Sequence, residues 1–87
     1  MGTNLHIGNL SASVTEAELL DLFKKIGAVE TATIMTNPET GFSQGIAFVR
    51  MTNESDAVKA ISRLNFSQYD GQVISVSRDL RVNRDHK

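Results

Sequence analysis

The chain has 87 residues with no cysteine, 40% hydrophobic and 22% charged residues, and a net charge of −1. This length suits one small domain, and the composition is that of an ordinary folded protein rather than a disordered tail. Without cysteine, disulfides and thiolate metal sites are excluded, so packing alone must hold the fold.

The first predicted elements are a strand and a helix. Residues 4–8 alternate polar and apolar side chains, which predicts a short strand with one buried face. Thr15 and Glu18 have the spacing of a capping box, so a helix begins there. Apolar residues then recur at helical intervals as far as Ile26, and Gly27 ends the helix.

Two further strands follow, separated by a turn. Residues 29–35 are rich in β-branched side chains, which favour a strand. Residues 37–41 contain proline and glycine and predict a turn. Residues 45–51 then predict the third strand.

The last elements are a helix and a strand. Thr52 or Asn53 caps the helix, whose apolar stripe ends at Leu64. Residues 65–71 are expected to form a loop, and residues 73–77 the last strand.

The predicted order is therefore β-α-β-β-α-β. Two helices with one apolar stripe each can cover only one face of a sheet, so the other face stays open. We predict an α+β, ferredoxin-like sandwich with a four-stranded antiparallel sheet and both helices on one face. Among the aromatic residues, Phe23, Phe66 and Tyr69 are assigned to core and loop packing.

Two segments resemble the motifs of a known family. Residues 5–10 (LHIGNL) resemble the six-residue motif on the first strand of the RNA-recognition-motif (RRM) family, and residues 44–51 (QGIAFVRM) resemble its eight-residue motif on the third strand. Both lie on the right strands in the right order, and the resemblance covers essentially the whole chain. It implies binding of single-stranded RNA on the open sheet face, as in the small single-domain RNA-binding proteins of bacteria.

Alternation along the strands assigns side chains to the two faces. If Leu5 and Ile7 point into the core, His6 faces the open side, and the same rule places Phe48 on that side. The resemblance implies that both rings serve as stacking platforms for bases, at about 1–3 kcal/mol per base.

The chain departs from the family pattern at several positions. His6 and Ile46 stand where the family usually has aromatic residues, and Gln44 replaces a basic residue. Residues 36–43 contain no basic residue at all. We therefore expect weak to moderate, salt-sensitive RNA binding.

Positive charge for the phosphates is expected from Arg50 and from the C-terminal segment. Residues 78–87 hold four basic and two acidic side chains, whereas residues 1–77 hold five basic and eight acidic ones. Charge alone fits a phosphate-binding segment and a solvated tail equally well. The predicted RNA-binding residues are His6, Phe48, Ile46, Arg50, Asn4, Gln44, Thr33, Met35, Ser75, Ser77, Arg78 and Arg81.

Two other function classes fit the same predicted fold. The alternative is a protein-binding adaptor of the same fold with little RNA affinity. Family members that bind a peptide tryptophan carry an Arg-x-Phe element before the last strand, but residues 65–71 contain no arginine. Catalysis is not expected, because the acylphosphatases that share this element order need a basic phosphate loop, and residues 8–14 have no basic residue.

The expected organisation is an RRM domain over residues 1–79 and a basic C-terminal tail over residues 80–87. We expect a complete, monomeric, intracellular and cytoplasmic protein with single-stranded RNA as its partner. No cofactor, metal or membrane partner is expected, since no apolar run approaches the roughly 20 residues that span a bilayer.

Overall fold

A computed structural model of the protein describes residues 3–79. Four strands form the main sheet and two helices pack on one of its faces, while two short strands form a separate hairpin. The elements are β1 (Asn4–Gly8), α1 (Glu16–Lys24), β2 (Val29–Thr36), β3 (Ser43–Met51), α2 (Glu54–Leu64), β4 (Gln68–Tyr69), β5 (Gln72–Val73) and β6 (Ser75–Arg78). The main sheet has the order β2-β3-β1-β6 with antiparallel neighbours, which confirms the predicted fold class.

The core lies between the helices and one face of the main sheet. The inward faces assigned by alternation are confirmed, because Leu5 and Ile7 of β1 are fully buried. The other buried core residues are Leu10, Val14, Leu19, Phe23, Ala47, Val49, Met51, Ala57, Ala60, Ile74 and Val76. One face of the sheet therefore takes up the apolar side chains, and the opposite face is left for other contacts.

Helix α1 begins with the predicted capping box. The Glu18 backbone N–H donates to Thr15 Oγ1 at 3.2 Å, and the Thr15 N–H donates to Glu18 Oε1 at 3.0 Å. Helix α2 follows Asn53, one of the two predicted caps, although the Asn53 side chain makes no capping hydrogen bond. Neither helix within residues 3–79 is long and apolar enough to cross a membrane.

The segment before β6 differs from the prediction. Residues 73–77 were expected to form one strand, but Val73 belongs to the β4–β5 hairpin and the strand of the main sheet runs from Ser75 to Arg78. Asp70 and Gly71 form the hairpin turn with φ values of 52° and 83°. An Asp-Gly pair with both φ values positive is the preferred two-residue turn, so this dipeptide was the missed signal.

Candidate nucleic-acid interface

A row of four side chains crosses the open face of the main sheet. Phe48 of β3 lies opposite His6 of β1 and opposite Thr33 of β2, while His6 lies opposite Ser77 of β6. Direct partners on adjacent strands point to the same face. The structure therefore brings four of the predicted site residues side by side at the centre of this face.

His6 and Phe48 touch within this row. Their ring centroids are 5.5 Å apart and their planes make an angle of 68°, which is an edge-to-face contact. Both residues are half-buried, so each ring keeps exposed surface. Because the two planes are steeply inclined, the pair presents two differently oriented surfaces to a ligand on this face.

Arg50 occupies the next position of β3 on the open face, but it is ion-paired. Its Nε lies 3.3 Å from Glu30 Oε1, and the two side chains are 55% and 49% exposed. A register shift between Val29 and Thr31 interrupts the alternation of β2 and brings Glu30 beside Arg50. The acidic neighbour was missed at the sequence level, because strict alternation would place it on the helical face.

The β2 side of the open face is largely apolar. Met35 of β2 is 39% exposed, and Ile46 of β3 is half-buried. Gly45, just before Ile46, has φ 78° and accepts the Leu10 N–H at 2.9 Å through its carbonyl. Gln44 is exposed, and its amide donates to the Thr36 carbonyl at 3.4 Å.

The two serines of β6 complete the polar side of the face. Ser77 is exposed and Ser75 is half-buried. A Cβ added to Gly8 would lie 2.8 Å from Ser75 Oγ, so Gly8 leaves the room that this hydroxyl occupies. Asn4 of β1 lies opposite Arg50, next to the central row.

Arg78 lies on the other side of the sheet from the central row of predicted site residues. It is the last residue of β6, opposite the buried Leu5, and therefore lies on the helical side of the sheet. Its Nη1 is 2.9 Å from Glu54 Oε2 at the start of α2. Arg78, one of the predicted RNA-binding residues, therefore lies on the side of the sheet opposite to the His6–Phe48 pair. Arg81, another of them, lies outside the described residues.

Two exposed aromatic side chains were not anticipated. Phe42, in the loop between β2 and β3, is 73% exposed and had been given no role. Phe66 is 76% exposed, which corrects its assignment to loop packing. Its backbone is held by donation to the Ile74 carbonyl at 2.8 Å, in a left-handed conformation with φ 67°. Tyr69, in contrast, packs against the core as expected.

Away from the open face, the described residues form a shallow cavity but no metal-binding cluster. Residues 3–79 contain no group of three or more His, Cys, Asp or Glu side chains that could hold a metal ion. A shallow cavity of about 180 Å³ lies on the helical side, between α1 and Tyr69. Burial, followed by the nearby Glu18, raises the pKa of the Tyr69 hydroxyl above its usual value.

Comparison with known proteins points to one family. The model of the family described as RNA recognition motif matches residues 5–75. The chain is 33% identical over 81 residues to a putative RNA-binding protein, RbpF, of Nostoc, covering 93% of this chain and 71% of the relative. It is 42% identical over 77 residues to the small ribosomal subunit protein uS19m of Arabidopsis thaliana, covering 88% of this chain and 36% of the relative.

A solved structure agrees with this similarity. A Sxl-lethal protein/RNA complex superposes with a TM-score of 0.86 at 38% identity, covering 91% of this chain and 47% of the other. The chain spans only about a third or less of the length of most curated relatives that it matches. The similarity therefore concerns one domain of those larger proteins.

Proposed function

Because the chain belongs to the RNA recognition motif family, we propose that it binds single-stranded RNA on the open face of its main sheet. The observation that carries this proposal is the His6–Phe48 pair at the centre of that face. Both helices pack on the opposite face, so a base can reach either ring without displacing a helix. Stacking of a base on an aromatic side chain contributes on the order of 1–3 kcal/mol.

Polar groups around the two rings support recognition of base edges. Thr33 and Ser77 flank the pair in the central row. Asn4 lies two residues before His6 on β1, and Ser75 lies two residues before Ser77 on β6, so both share the open face. Hydroxyl and amide groups donate and accept hydrogen bonds, so they can read the edges of unpaired bases. Ile46 and Met35 would contribute apolar contact with the same strand of RNA.

The basic residues that follow the domain would add to this binding. We place the RNA-binding domain at residues 1–79 and assign phosphate attraction to the segment that follows. Residues 80–87 hold three basic side chains, Arg81, Arg84 and Lys87, and one acidic side chain, Asp85. Such a segment would strengthen binding in a salt-dependent manner, because each phosphate that it neutralises releases counterions.

The decisive experiment is a fluorescence-anisotropy titration of short single-stranded RNA pools at low salt. Phe48→Ala should weaken binding by about 5- to 150-fold, the loss of one stacked base. Phe48→Leu keeps the apolar bulk and guards against a folding defect, yet it should also lose most of the affinity. Val58→Ala on the outer surface of α2 is the control, since Val58 is 49% exposed and lies on the helical side.

Two results would contradict the proposal. Unchanged binding in both Phe48 variants, with Val58→Ala also unchanged, would move the site away from the sheet. No binding of any RNA pool by the wild-type chain at low salt would favour a protein-binding adaptor instead.

A further inference from the structure

Strand β2 forms one edge of the main sheet, and its sequence favours pairing with a further strand. In the sheet order β2-β3-β1-β6, the described residues place only β3 beside it. Residues 31–36 (TATIMT) contain no charge, no glycine and no proline, and four of these six residues are β-branched. Segments of this kind pair readily with another strand, so proteins usually protect such an edge.

The hydrogen bonds of β2 show which backbone groups point outward from the sheet. Pairing with β3 is regular from Thr31 to Ile34. The Ile34 N–H donates to a side chain of α1, so the N–H and carbonyl of Ile34 point away from β3. Ala32 lies two residues earlier in the same register and points its N–H and carbonyl the same way. The outer edge of β2 therefore presents the backbone groups of Ala32 and Ile34.

Glu16 covers part of this edge. It is the first residue of α1, and its Oε2 accepts the Ile34 N–H at 3.0 Å. Hydrogen bonds to an ionised carboxylate are stronger than those between neutral groups. Glu16 is exposed, so its side chain covers the strand edge and does not fill the core. A charged side chain at an edge strand is one of the ways in which proteins prevent unwanted strand pairing.

The strand that fits this edge is β2 of a second copy of the chain. Two β2 strands that run antiparallel about Thr33 would place Ala32 of each copy opposite Ile34 of the other. Each of these two pairs would exchange two hydrogen bonds, and Thr33 would face its own counterpart in a favourable threonine pair. Two of the four hydrogen bonds need the Ile34 N–H, which Glu16 occupies in each copy.

We propose that the outer edge of β2 is a self-association surface for a second copy of this chain, and that Glu16 keeps it closed. The inference is independent of the proposed RNA binding. Because paired residues share a face, such a dimer would join two four-stranded sheets with their open faces on the same side. Glu16 thereby keeps the domain monomeric, with a single open face.

The test is analytical ultracentrifugation of wild type and variants over a series of protein concentrations, without RNA. Glu16→Ala frees the Ile34 N–H in both copies and should tighten self-association by about 5- to 150-fold, the range for two additional hydrogen bonds. Glu16→Ser is also too short to reach β2 and should behave alike, which guards against a folding defect in one variant. Glu16→Gln keeps an oxygen that can accept the Ile34 N–H and should resemble the wild type.

Two further variants test the charge and the geometry. Asp21→Ala, the matched control, removes an equal charge from the exposed surface of α1 and should leave the chain monomeric. Thr33→Lys in the Glu16→Ala background would place two lysines opposite each other and should abolish the gain.

Three results would overturn the inference. The first is that Glu16→Ala and Glu16→Ser associate no more than the wild type. The second is an equal gain in Glu16→Gln or Asp21→Ala, because net charge rather than the bond to Ile34 would then control association. The third is a Glu16→Ala dimer that persists with Thr33→Lys, because the contact would then lie away from the β2 edge.

Discussion

Replacing Glu30 by glutamine should tighten RNA binding, because Glu30 neutralises the arginine that faces the open side of the sheet. Its carboxylate lies 3.3 Å from Arg50 Nε, and both side chains are about half exposed. A phosphate that approaches Arg50 must displace this carboxylate or bind beside it, and both alternatives oppose binding. Glutamine keeps the size of the side chain and removes its charge.

The expected size of the effect follows from the exposure of the pair. Ion pairs between solvent-exposed side chains contribute about 0.2–1 kcal/mol. If RNA binding must break this interaction, its removal should lower Kd by roughly 1.4- to 5-fold. The gain should shrink as salt is added, since salt weakens ion pairs between solvent-exposed side chains.

The assay is an RNA titration of Glu30→Gln, Asp21→Asn and wild type at low and physiological salt. Asp21→Asn removes the same charge from the exposed surface of α1, on the helical side, and should change Kd little. In an Arg50→Ala background, Glu30→Gln should have no further effect, which isolates the pair. Equal gains in Glu30→Gln and Asp21→Asn would refute the reasoning, because net charge alone would then explain the result.

Two further predictions concern stability. Phe66→Gly should raise the free energy of unfolding by about 0.5–1 kcal/mol, because glycine adopts without strain the left-handed conformation that costs other residues about 1–2 kcal/mol. Urea unfolding measures this gain. A urea midpoint lower than that of the wild type would contradict the prediction. Hydrogen bonds from Ser13, and then Ser11, hold the pKa of the Asp70 carboxyl below its usual value of 3.8. Ionised Asp70 therefore stabilises the fold above pH 3.8, and this stability is lost as pH falls through the lower folded pKa. In urea unfolding measured from about pH 7 to 2, Ser13→Ala should reduce the loss of unfolding free energy that occurs as the pH falls. An unchanged pH dependence would exclude this role for the hydrogen bond.

Alternation and helical periodicity predicted most of the fold, because they report directly which side chains must be buried. Leu5 and Ile7 fixed the phase of β1, and this phase placed His6 on the open face beside Phe48. The capping box at Thr15 could be predicted as well, because both of its partners lie within one helical turn. Such features need no knowledge of the rest of the chain.

The errors arose where a strand departs from regular pairing or ends one residue later than predicted. The irregularity before Thr31 brings Glu30 to Arg50, and its position depends on how β2 and β3 pair in three dimensions. Ending the last strand at residue 77 left Arg78 without an assigned face. Once β6 includes Arg78, the same alternation that buries Val76 places its guanidinium on the helical side.

The positions of Glu30 beside Arg50 and of Arg78 on the helical side change how the chain can attract RNA. Arg50 and Arg78, the arginines of the main sheet, pair with Glu30 and Glu54. The sheet therefore offers stacking surfaces whose contribution changes little with salt, whereas net positive charge is concentrated in residues 80–87. Binding at high salt should consequently depend on the His6–Phe48 pair, and the additional affinity at low salt should depend on the basic segment that follows β6. The sheet would then contribute base stacking and residues 80–87 would contribute electrostatic attraction to the same complex.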